Sequence, residues 1–208
     1  MKPALKVCGM KYNTQAVAAL NPEYLGFIFY EKSPRYFSGK LPQLPEHIKK
    51  VGVFVDTPIS ELMLLTKRYQ LAVCQLHGDE SVTYLKELRK KIPAHVRLWK
   101  VFSVGPDFDF SSVTAFETAA DAFLFDTKGI ARGGNGVRFS WDRLQDYTLS
   151  KPIILSGGIG PNHVPEILDL LDSSLPLVAI DVNSRFETQP GYKDIQSLKN
   201  FQDALSRR

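Results

Sequence analysis

The stretches Pro152-Ile153-Ile154-Leu155-Ser156-Gly157-Gly158-Ile159-Gly160 and Leu177-Val178-Ala179-Ile180-Asp181-Val182-Asn183-Ser184 repeat one arrangement. Each is a short, continuously apolar run that ends in small or hydrogen-bonding residues, the pattern of a parallel strand buried on both faces. Glycines let backbone N–H groups come close to a ligand, and a helix starting beside them favours an anion. Read together, Gly157, Gly158, Asn183 and Ser184 are candidate phosphate-binding residues on two neighbouring loops. In a (β/α)8 barrel, phosphate commonly sits on the loops after the seventh and eighth strands. Each stretch alone is equally an ordinary tight turn; their succession, separated by one helix, favours the cradle.

Working outward, the same alternation covers the chain. Short apolar runs lie at Leu5–Cys8, Tyr24–Phe29, Val51–Val55, Ala72–Leu76, Val96–Phe102 and Ala122–Phe125, ahead of the two already quoted. Between them, helices are expected from Asn13 to about Leu20, near Leu44–Lys49, after Thr57-Pro58, after Ser81, within Phe110–Ala119, from Ser140 and over Val164–Leu171. Lys193–Ser206 is expected as the closing helix. The 208 residues divide into about 26 per strand–helix unit, which suits a compact α/β chain folded as one (β/α)8 TIM barrel over residues 1–208. A doubly wound open sheet uses the same alternation, so periodicity leaves the two open.

The polar residues favour the barrel. Alternate side chains of a strand share a face, which groups Lys6 with Cys8, Leu124 with Asp126, Ala179 with Asp181, and Val73 with Gln75 and His77. Leu5, Val7 and Cys74 fall on the opposite, helix-facing side. Polar side chains inside and near the carboxyl ends of several strands are what a barrel mouth requires.

Composition narrows the function. A net charge of +4 with no long basic block favours anionic small molecules over nucleic acid, for which no recognisable module is present. Cys8 and Cys74, the two cysteines, make neither a disulfide framework nor a metal pattern. With no signal-like or membrane-length apolar run, a cytoplasmic protein without membrane partners is expected. A monomer is expected, with a homodimer as the close alternative.

Lys6-Val7-Cys8-Gly9, Gly26-Phe27-Ile28-Phe29 with Ser33-Pro34-Arg35, Val51-Gly52-Val53-Phe54-Val55, Gln75-Leu76-His77-Gly78, Phe125-Asp126-Thr127, Leu155-Ser156-Gly157-Gly158 and Asp181-Val182-Asn183-Ser184 resemble, in this order, the phosphoribosylanthranilate isomerase family. The resemblance implies a (β/α)8 barrel that performs the Amadori rearrangement of N-(5-phosphoribosyl)anthranilate to 1-(2-carboxyphenylamino)-1-deoxyribulose 5-phosphate in tryptophan biosynthesis. It implies no cofactor and no metal. It also implies Asp126 as the acid that opens the ribose ring and Cys8 as the base that removes the C2 proton.

For these roles Asp126 needs a raised pKa and Cys8 an accessible thiolate. Lys6, on the same strand face, is the expected cation beside Cys8. The planar fork of Arg35 suits the anthranilate carboxylate. Asp181 is an awkward phosphate ligand and is expected to orient loops or a substrate hydroxyl. His77 ends a strand at the mouth and is given no catalytic role.

The chain departs from the family pattern at Arg185, where glycine is common, and at Asn135 in the glycine-rich loop, where threonine is common. Gly129–Gly136 is the expected lid. Two other readings remain in view. One is a sister isomerase for a different aminoaldose phosphate, against which Cys8 speaks because a carboxylate is usual there. The other is a catalytically silent barrel that binds a phosphorylated ligand.

Overall fold

The computed structural model describes residues 3–127 and 140–206. Eight parallel strands close into a barrel in sequence order, so the open-sheet alternative is excluded. They are β1 (Ala4–Val7), β2 (Tyr24–Ile28), β3 (Lys49–Phe54), β4 (Val73–Leu76), β5 (Arg97–Val104), β6 (Ala122–Thr127), β7 (Ile153–Leu155) and β8 (Leu177–Val182). Closure comes from β8 pairing with β1, where Lys6 stands opposite Asp181 and Ala4 opposite Ala179.

The face assignment from parity holds. Val51, Val73, Trp99, Val101, Ala122, Leu124, Ile154 and Ala179 form one buried cluster inside the barrel. Leu5, Val7, Phe27, Cys74, Phe123, Phe125, Ile180 and Val182 belong to a separate outer layer between strands and helices. Cys74 lies with the helices as expected, its Sγ 3.2 Å from the Thr66 hydroxyl. Burial pushes its thiol up to about 12, so it stays protonated.

The outer layer is thinner than the alternation suggested. Helices α1 (Thr14–Ala18), α2 (Ile59–Tyr69), α3 (Val82–Lys91), α4 (Val164–Asp172) and α5 (Ile195–Leu205) form. Ser81 caps α3 by accepting from Tyr84 N–H, and Asp194 caps α5 by accepting from Ser197 N–H. The helix expected at Leu44–Lys49 does not form: the segment is a turn closed by Ile48 N–H to Pro45 O, and Lys49 already pairs in β3. A span so short, holding a proline, cannot recover the cost of nucleating a helix.

The segments after Asp109 and Ser140 are 3₁₀ turns, Phe110–Phe116 and Trp141–Asp146, rather than α-helices. Aromatic packing seals the first of them. Phe110 meets Phe108 and Phe125 edge-on with centroids 5.0 and 5.2 Å apart, and Phe102 meets Phe116 at 5.3 Å. Each such pair adds about 0.5–1.5 kcal/mol beyond area burial, enough to hold a short segment against β5 and β6.

One element was not expected. Glu187–Gln189 and Tyr192–Lys193 make a small antiparallel hairpin, β9 and β10, before α5. Its turn passes through Pro190 and Gly191, whose φ of +84° favours glycine. Lys193 therefore belongs to a strand and not to the last helix, which begins after its Asp194 cap.

Candidate active site

Polar side chains gather at the carboxyl ends of the strands, above the apolar filling of the barrel. Lys6, fully buried, donates from Nζ to Asp181 Oδ1 at 2.8 Å, a contact dictated by the register of β1 on β8. Burial alone would lower the Lys6 ammonium, but Asp181 and then Cys8 outweigh it and hold Lys6 above the ordinary lysine value. Burial raises the Asp181 carboxyl, against the pull of Lys6. Ser156, just after β7, reaches Asp181 Oδ2 at 3.5 Å. Asp181 is thus held between Lys6 and Ser156 near the mouth.

Cys8 follows β1, with its N–H donating to Val182 O. Room for the thiol comes from β2, because a Cβ at Gly26 would lie 2.8 Å from Cys8 Sγ. Burial raises the Cys8 thiol above its usual value; Lys6 and Lys193 act in the lowering direction without overcoming it. The sequence named Lys6 as the only cation for this thiol, so Lys193 is an addition.

Asp126 ends β6. Its Oδ1 accepts from Thr127 N–H at 2.9 Å and its Oδ2 lies 3.3 Å from His77 Nε2. Gln75, two residues before His77 on β4, places its amide nitrogen 3.2 Å from His77 Nδ1. With that amide donating, Nε2–H points at Asp126. His77 is therefore a partner of the proposed acid, a closer tie than the sequence indicated.

Gly157 and Gly158, at φ of +88° and +66°, turn the chain after β7 tightly against this group. A Cβ at Gly157 would lie 2.3 Å from Thr127 Oγ1 and 2.9 Å from Asp126 Oδ1, so only glycine fits. Asn183 and Ser184 follow β8, but the Asn183 side chain leans the other way. Its Oδ1 accepts from Lys193 Nζ at 2.7 Å and lies 2.6 Å from where a Gly9 Cβ would be. The Asn183 side-chain oxygen is thus engaged by Lys193. Arg185 lies against Gly160, its Cβ 3.5 Å from the point a Cβ there would take. The expected lid at Gly129–Gly136, with Asn135, is outside the described residues.

Arg35, in the loop after β2, lies with its Cδ 2.7 Å from the point a Gly9 Cβ would occupy. Its guanidinium grips Glu187 of β9 along one edge: Nε donates to Oε1 and Oε2 at 3.0 and 2.9 Å, and Nη2 to Oε2 at 2.6 Å. Lys193 Nζ donates to the same Glu187 at 2.7 Å, and Gly191 N–H does so at 3.0 Å. Burial would raise Glu187, but Arg35 and Lys193 prevail and hold it below the ordinary glutamate value. Burial pulls Lys193 below the ordinary lysine value, with Glu187 opposing.

Sequence reasoning missed Glu187 and Lys193. The Pro190-Gly191 turn dipeptide between two short runs was the available signal for the hairpin that carries them. Among the described residues, no three His, Cys, Asp or Glu side chains are arranged to hold a metal ion.

Around the rim, Cys8 and Asp126 are separated by the loops after β7 and β8, because the strand order runs β6, β7, β8, β1. A ligand anchored by those two loops is flanked by a thiol on one side and a carboxyl on the other.

The family model described as N-(5'phosphoribosyl)anthranilate (PRA) isomerase matches residues 5–204 of the chain. An N-(5'-phosphoribosyl)anthranilate isomerase of Parabacteroides distasonis is 39% identical over 206 residues, covering 95% of this chain and 90% of that relative. Among solved structures, a phosphoribosyl anthranilate isomerase of Thermus thermophilus superposes with a TM-score of 0.81 at 25% identity, covering 98% of each chain. Another of that name, in complex with reduced 1-(o-carboxyphenylamino)-1-deoxyribulose 5-phosphate, gives a TM-score of 0.77 at 26% identity over 98% of each.

Proposed function

Since the chain belongs to the phosphoribosylanthranilate isomerase family, we propose that its barrel mouth converts N-(5'-phosphoribosyl)anthranilate to 1-(2-carboxyphenylamino)-1-deoxyribulose 5-phosphate with Cys8 as base and Asp126 as acid. The observation that carries the assignment of roles is that Asp126, against the Gly157-Gly158 turn, and Cys8, after β1, stand on either side of the two loops that follow β7 and β8.

The chemistry follows from what each group can give. Asp126 passes a proton to the ribose ring oxygen as the C1'–O4' bond breaks, and the anilino nitrogen lone pair forms the C1'=N bond. Cys8 thiolate then removes the proton on C2'. The C–H electrons form C1'=C2', the iminium electrons return to nitrogen, and the resulting enolamine tautomerises to the ketone with no atom gained or lost. His77, held by Gln75, steadies the Asp126 carboxyl for its part. Phosphate sits on backbone N–H groups of Gly157 and Gly158 and of the Asn183-Ser184 turn, and the anthranilate carboxylate lies on Arg35. One barrel spanning residues 1–208 acts in the cytoplasm on this small-molecule substrate, and no described helix is long and apolar enough to cross a membrane.

The test follows the fluorescence of phosphoribosylanthranilate, prepared in place, after adding wild type, Cys8→Ala and Asp126→Asn. Fast decay with wild type and a fall of about a hundredfold or more in each variant are expected. Decay at the wild-type rate in either variant would remove that residue from its role.

A further inference from the structure

Resting on the reading of Arg35 as the carboxylate site, we propose that Glu187 is the residue that aims Arg35, fixing one edge of its guanidinium so that the opposite edge faces the substrate carboxylate. A guanidinium offers two bidentate edges, and a single arginine can bridge two carboxylates. Glu187 takes the Nε–Nη2 edge through three contacts, whereas Nη1 makes no hydrogen bond among the described residues. The edge built from Nη1 and the remaining Nη2 proton is the one left for a ligand.

Glu187 itself has little freedom. Its side chain is 3% exposed and is braced from the other side by Lys193 Nζ, whose side chain is fully buried, and by Gly191 N–H. Lys193 in turn is tied to Asn183 Oδ1, next to β8. The aim of Arg35 is therefore referred back to the barrel wall, even though Arg35 sits on a loop. Charge agrees as well: Arg35 and Lys193 against Glu187 leave one net positive charge, which matches one incoming carboxylate. The cluster stands beside Gly9, one residue beyond Cys8, so the anthranilate ring is oriented at the end of the substrate where the base works.

The test compares two substrates, phosphoribosylanthranilate and its carboxylate-free counterpart N-(5'-phosphoribosyl)aniline, with product followed by chromatography. In Glu187→Gln, kcat/KM for the anthranilate substrate is expected to fall about 10- to 100-fold, mainly through KM, as suits a weakened charge-assisted contact. The aniline substrate should stay within about twofold, because it makes no use of Arg35. Glu187→Asp, which keeps the charge and safeguards the fold, is expected to lose less discrimination than Glu187→Gln.

Equal losses on both substrates would overturn the proposal, since they would mean that Glu187 only holds the fold. A gain on the anthranilate substrate would overturn it too, making Glu187 a competitor for Arg35. Arg35→Met separates this inference from the reading beneath it. If that variant keeps wild-type discrimination, Arg35 is not the carboxylate site; if it loses discrimination while both Glu187 variants keep it, only the role of Glu187 falls.

Discussion

Burial raises the Cys8 thiol, and Lys6 is the largest force acting against that rise. Two consequences follow. With the Cys8 thiolate as the proposed base, kcat/KM should climb with pH beyond the ordinary cysteine range of about 8.5. Replacing Lys6 by Met removes the largest lowering force, so the Cys8 midpoint should move further up. The measurement is the pH dependence of iodoacetamide alkylation in a Cys74→Ala background, taken where circular dichroism shows the variant folded. An unchanged midpoint would sink the idea that Lys6 tunes this thiol. The pairing of Lys6 with Cys8 was legible from strand parity alone, since alternate side chains share a face whatever the strand packs against. The approach of Lys193 was not legible, because it comes from 185 positions further along the chain through a hairpin that parity does not describe.

At the level of elements, the loops after β3 and β4 are tied together by one buried carboxylate. Glu80 accepts from the backbone N–H groups of Asp56 and Gly78, and Lys100 Nζ on β5 donates to it at 2.9 Å. Lys100 also donates to Gly78 O at 2.7 Å, next to His77. Lys100 is 4% exposed and faces the outer layer, as its register opposite Leu76 and Phe123 requires. Glu80→Gln leaves that ammonium without a counterion and should cost about 3–5 kcal/mol, read from urea unfolding. Adding Lys100→Met to it should recover much of the loss. A cost below about 1 kcal/mol for Glu80→Gln would show that the pair is not what secures these loops. Eight strands and most helices could be read from apolar runs and caps such as Ser81. The short links could not: whether the segment after Asp109 became an α-helix or a 3₁₀ turn depended on aromatic partners from β5 and β6.

Across the whole molecule, acid should attack through carboxylates that the fold holds in ionised form. Glu187 is one, its folded pKa depressed by Arg35 and Lys193. A depressed carboxylate contributes stability that is fully present above its unfolded value of about 4.3 and is lost as pH falls from there through the folded value. Urea unfolding between pH 7 and pH 3 should therefore show wild type losing stability more steeply below about pH 4.3 than Glu187→Gln does. Equal slopes would mean that the Arg35-Glu187-Lys193 cluster opens before the barrel unfolds. The strand–helix alternation and the inward faces of the strands were determined by sequence, because apolar runs, their spacing and their parity are local properties that survive without a partner. So were Cys8, Asp126 and the Gly157-Gly158 turn as candidates, because each marks the end of such a run. Only the tertiary structure decided that β8 closes on β1 to pair Asp181 with Lys6, that His77 meets Asp126, and that Glu187 and Lys193 join Arg35 at the rim. Those contacts join residues far apart in the chain, and no periodicity records which distant side chain a closed barrel brings within hydrogen-bonding reach.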